Sequence, residues 1–162
     1  MMIEPSPEDF LKVFGGRFYV PVSRPVVGWA VTGWHHYDGE PESLSLRLSL
    51  GPRRDPVSMS ASIDKLSPKS VVHELLFATS PHRPFRFPLT VEREMMRIAV
   101  DGRPRVFTGY HFNGHTAATA RIRDVYVTAQ CRTRLLTGLS LGVLEPDRLR
   151  GLVRQRRGEL AG

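Results

Sequence analysis

A chain of 162 residues suits one ordinary domain, or two small halves sharing a core. Its composition, 41% hydrophobic and 24% charged, is globular; no apolar run approaches the ~18 residues that a membrane span needs. The single cysteine, Cys131, excludes an internal disulfide framework and a cysteine-based zinc cluster, and the formal net charge of +7 favours acidic partners.

Lysine occurs only at 12, 65 and 69, so arginine supplies the other 20 of the 23 basic side chains, as GC-rich bacterial coding would give. The charge is unevenly placed. Residues 1–100 hold 12 basic and 11 acidic side chains, a net of +1; residues 101–162 hold 11 and 5, a net of +6. The acidic start, Met1 to Asp9, lacks a signal-peptide pattern, and a cytoplasmic location is expected from it.

In chain order, Ser6-Pro7-Glu8-Asp9 predicts a helix start, with proline at the first helical position; Phe10, Leu11, Val13 and Phe14 follow, and Gly15-Gly16 stops it. Val26–Trp34 is β-branched and aromatic and reads as a strand, with a hairpin turn at Asp38-Gly39. Ser43–Leu50 alternates leucines with polar residues, and Val57–Ile63 alternates again. Ser67-Pro68 opens a helix carrying Val71, Val72, Leu75 and Leu76. Residues 80–88, with Pro81, Pro84 and Pro88, read as a linker. Strands are predicted at Leu89–Val100, Arg105–Phe112, His115–Ile122 and Val125–Cys131, with turns at Asp101-Gly102, Asn113-Gly114 and Arg123-Asp124. A short strand at Leu139–Leu144 leads into a helix over Pro146–Arg157.

The motif Thr32-Gly33-Trp34-His35 returns as Thr108-Gly109-Tyr110-His111, and Leu66-Ser67-Pro68-Lys69 has a counterpart in Leu144-Glu145-Pro146-Asp147. The expectation is an α+β fold in one domain, 1–162. It would comprise two related units, about 17–79 and 89–157, each a twisted antiparallel β-meander ending in a helix. The helices would cover one face of the sheet; a closed barrel is the alternative.

Residues opposite one another across a hairpin share a face. One face then collects Ile98, Val100, Phe107, Ala118, Ile122, Val125, Val127, Ala129 and Cys131, which is a core. The other collects Arg97, Thr108, Tyr110, Phe112, His115, Thr119, Arg121, Arg123, Tyr126, Gln130 and Arg132, with Trp34 in the equivalent place in the first unit. Rings and arginines on one sheet face are suited to an acidic protein partner, and also to single-stranded nucleic acid, whose bases stack and whose phosphates pair with arginine.

His111 and His115 fall on opposite faces, which argues against one metal held by both. His35 and His111 are motif-equivalent and would meet only across a pseudo-twofold cleft. Nucleophile elbow, phosphate loop, dinucleotide fingerprint and paired acids are all lacking, so no catalytic residue, metal or cofactor is expected. The sequence therefore predicts a non-enzymatic binding module, with an acidic protein the first partner class and nucleic acid the alternative. A small enzyme using the two histidines is the third reading, and exposed edge strands would allow a homodimer.

Overall fold

Helix α1 (Pro7–Phe14) is fixed at both ends by its sequence. The Ser6 hydroxyl accepts from the Asp9 amide and the Asp9 carboxylate accepts from the Ser6 amide, a complete capping box. Gly15 caps the other end and Gly16 turns the chain at φ 75°. The computed structural model describes residues 6–22, 28–35, 41–49, 56–65, 67–79 and 91–161. The expected Asp38-Gly39 turn and the 80–88 linker lie outside them.

The strands are β1 (Tyr19–Pro21), β2 (Gly28–His35), β3 (Pro41–Ser49), β4 (Pro56–Ser62), β5 (Glu92–Val100), β6 (Arg103–Phe112), β7 (His115–Ile122), β8 (Val125–Arg132) and β9 (Ser140–Val143). Helix α2 (Pro68–Thr79) follows β4 and α3 (Pro146–Ala161) follows β9. All nine strands form one sheet in the order β1-β9-β5-β6-β7-β8-β4-β3-β2. Its two ends are free among the described residues, so the sheet is open and not a barrel.

Three two-residue hairpins set the register of β5 to β8. Asp101-Gly102, Asn113-Gly114 and Arg123-Asp124 all have positive φ at both positions, the twist that joins adjacent antiparallel strands. The pairs Val100–Arg103, Phe112–His115 and Ile122–Val125 follow directly. β4 joins the two meanders by pairing antiparallel with β8, with Ser60 opposite Thr128 at the middle of the contact. Outward from that junction, β8-β7-β6 on one side and β4-β3-β2 on the other therefore follow the same order.

Two expectations need correction. The sheet is mixed: β9 runs parallel to β5, with Ala99 beside Ser140 and Val100 beside Leu141. After β8 the chain reverses through the 3₁₀ turn Thr133–Leu135 and returns past β7 and β6 to the outer side of β5, where β1 then pairs with β9. The helices also lie on both faces, not one. α1 supplies Phe10, Val13 and Phe14, and α3 supplies Leu149 and Val153, to a core with Phe107, Ala118, Val127, Ala129 and Met59. α2 instead packs Val71 and Leu75 onto Tyr110 and Ala117 of the opposite face. The physical cause is the apolar content of that second face, where Tyr110, Ala117 and Phe112 offer a surface worth burying.

Candidate interaction face

α2 is positioned by Ser67, whose hydroxyl accepts from the Ser70 amide at 3.1 Å, with Pro68 at the first helical position. The helix divides the expected site in two. Tyr110 is 6% exposed beneath it, and Phe112 is half-buried against the same cluster. Arg93 sits 6.0 Å above the Tyr110 ring. His115, paired with Phe112 on one side and Arg132 on the other, bonds through Nδ1 to the Asn113 carbonyl at 3.1 Å. Tyr110, Phe112 and His115 therefore belong to packing and turn structure at the Asn113-Gly114 end of the sheet.

Arg121 and Tyr126 form the other part. They are direct cross-strand partners, and the Arg121 guanidinium stands 6.0 Å over the Tyr126 ring. Arg121 also pairs with Asp124 at 3.2 Å. Trp34 lies on the same rung, reached from Tyr126 through Ser62 and Ser43. Three strand spacings put it about 14 Å away. Arg123 stands in a turn at positive φ and donates to the Gly16 carbonyl at 3.5 Å, so it joins the α1 turn and not the aromatic face.

Met95 and Val106, outside the expected set, complete the open part beside the expected Arg97. Val106, 55% exposed, pairs with Arg97, and Met95, 61% exposed, pairs with Thr108. Thr108 pairs in turn with Thr119, and Thr119 with Thr128, Ser60, Ser45 and Thr32 in one hydroxyl rung across six strands. The Thr128 hydroxyl donates to Thr119 Oγ1 at 3.3 Å. Together Met95, Arg97, Val106, Arg121 and Tyr126 make a grid of apolar, aromatic and cationic side chains. The signal for Met95 and Val106 was alternation: each neighbours a core-side residue, Met96 and Phe107, and so must point the other way.

Charge sorts by face along β5. Arg93 and Arg97 share the face of the grid, whereas Glu92 and Glu94 alternate onto the other. None of the strand positions on the grid face of β5 to β8 carries an acidic residue. On α2, burial pushes the Glu74 carboxyl above its ordinary value, opposed by the neighbouring His73.

His111 belongs to a second polar group, on the core side. Its Nδ1 is 2.6 Å from the Thr116 hydroxyl, which is 2.7 Å from the Thr133 hydroxyl; its Nε2 is 3.4 Å from Glu94. Nε2 is buried and makes no hydrogen bond, and which of Nδ1 and the Thr116 hydroxyl donates follows the ring tautomer. His35 stands on β2, five strand positions from β6, about 24 Å at ordinary spacing. The two histidines therefore form no common cleft. Among the described residues no group of three or more His, Cys, Asp or Glu side chains is placed to hold a metal, and no described helix is long and apolar enough to cross a membrane.

Comparison with known proteins found no matching family model, no matching curated protein and no matching solved structure.

Proposed function

We propose that this chain is a non-enzymatic cytoplasmic binding module whose partner is an acidic segment of another protein, held on the grid of Met95, Arg97, Val106, Arg121 and Tyr126. One observation carries the reading: two exposed apolar side chains lie beside arginines on a sheet face none of whose strand positions from β5 to β8 is acidic. Arginine and tyrosine around an apolar centre is the composition of an interface hot spot, and the one-signed charge would steer an acidic partner towards it. Nucleic acid fits less well, because a stacking platform needs open rings and Tyr110 is buried beneath α2. The related-units reading belongs here too, and is supported by the repeated Thr-Gly-aromatic-His motif and the matching strand order on either side of β4 and β8.

The test is affinity capture from the source lysate with wild type, Val106→Asp and Arg97→Glu/Arg121→Glu in parallel, with and without nuclease. The expected result is a protein retained by wild type, lost at least ~10-fold by both variants at unchanged Tm, and released by salt. Equal retention by all three overturns the proposal. Recovery of nuclease-sensitive material alone transfers the grid to nucleic acid.

A further inference from the structure

β2 is the last strand of the sheet, and among the described residues no strand pairs with its outer edge. Its sequence, Gly-Trp-Ala-Val-Thr-Gly-Trp-His, contains no charged residue and no proline, in a chain that is 24% charged. Charge, proline and bulges are the usual means of keeping an edge from pairing. The one irregularity, between Trp34 and His35, lies at the strand's end and leaves Gly28–Trp34 in regular register with β3. β6 bears the matching motif, and its outer edge is taken by β5 along nine rungs.

What fits the β2 edge can be read from its own sequence. Residues facing each other across an antiparallel pair lie on the same side of the sheet. Two copies of β2 therefore keep both cores on one side only if a residue pairs with itself at the axis. Centring on Val31 uses the whole regular stretch: Val31 meets Val31, Ala30 meets Thr32, Trp29 meets Gly33 and Gly28 meets Trp34. Each glycine then faces a tryptophan, the large-with-small pairing by which an aromatic compensates for an edge glycine. The molecule already contains a junction of this kind, in which β4 and β8 meet antiparallel about Ser60 and Thr128.

We propose that the outer edge of β2 is the docking site for a second copy of this chain, through antiparallel β2–β2 pairing centred on Val31. The continuous sheet so formed would contain eighteen strands, twice the nine of one chain. α3 packs beside β2 and carries five arginines against its own Asp147 and Glu159 and against Glu8 of α1, which pairs with Arg150 and Arg154, so pairing brings two net positive helices together. Salt screens that repulsion and should tighten the dimer. Binding of an acidic partner to the grid responds to salt in the opposite sense, so the two proposals fail separately.

Sedimentation equilibrium of the full chain up to ~200 µM, at ~50 and ~300 mM salt, tests the pairing, with Thr32→Lys and Thr32→Glu as variants. In the proposed register the two Thr32 positions lie diagonally across the axis, so either variant places like charges together. The expected result is a wild-type dimer, each variant weakened at least ~10-fold at unchanged Tm, and pairing recovered when the two variants are mixed. A monomeric wild type at ~200 µM overturns the proposal. So does a dimer indifferent to charge at Thr32, or a mixture that fails to pair.

Discussion

Thr116 is fully buried, yet its hydroxyl is bonded on both sides, to His111 at 2.6 Å and to Thr133 at 2.7 Å. Removing it would leave His111 Nδ1 without a partner at a site where the ring is only 16% exposed. Thr116→Val should therefore cost about 1–3 kcal/mol in urea unfolding, while Thr116→Ser, which keeps the hydroxyl, should cost less. Sequence reading placed His111 beside its turn but could not assemble this group. Glu94, Thr116 and Thr133 come from three separate segments that only the sheet brings together. Gly109 is a similar case. A Cβ at Gly109 would lie 2.5 Å from Met96 Cε, so the space belongs to a neighbouring strand's side chain. Glu74 offers a pH test. Its folded carboxyl sits above the ordinary value, so the folded state holds the proton more firmly than the unfolded chain. The group's contribution to stability then falls as pH rises from the unfolded value through the folded one, and Glu74→Gln should flatten the stability profile across that acidic window.

Among the elements, α2 decides most about the candidate site. Leu75 is fully buried against Tyr110 and Ala117, so Leu75→Ala should lower stability by about 2–5 kcal/mol in chemical denaturation. By the same contact Tyr110→Ala should lower Tm, the response of a packing residue, whereas Arg121→Ala, on an exposed side chain, should leave Tm nearly unchanged. The locally signalled elements were legible: the proline starts of α1 and α2, and the meander from β5 to β8, whose two-residue turns fixed register and face together. Less legible was which face α2 would choose, because aromatic residues alternating with arginine satisfy either a helix or a partner. β1 was not legible at all. Three residues ending in Pro21 carry no periodicity, and their partner is at the far end of the chain.

For the molecule as a whole, the net charge of +7 acts differently on its two proposed contacts. Salt should loosen an acidic partner from the grid and strengthen self-pairing at β2, so one titration with two readouts separates them. The α+β class and most strand pairings followed from local pattern, since each hairpin is a short-range decision. The parallel contact of β9 with β5 and the placement of helices on both faces did not, since both are long-range decisions that alternation leaves open.

The closure of the sheet by β1 bears on how the chain is made. Tyr19 pairs with Val143, and 143 − 19 gives a separation of 124 residues. During synthesis at ~5–20 residues per second, the first strand to leave the ribosome waits about 6–25 s for its neighbour to exist. The local hairpins of β5 to β8 can form as they emerge, but β1 must remain unmatched until Leu141–Val143 are made. The outer side of β5 is open to wrong partners from the time β5 is made until β9 follows, about 40 residues later. Folding yield should therefore depend on elongation rate and on chaperone cover between the synthesis of β5 and that of β9, after most of the sheet is already in place.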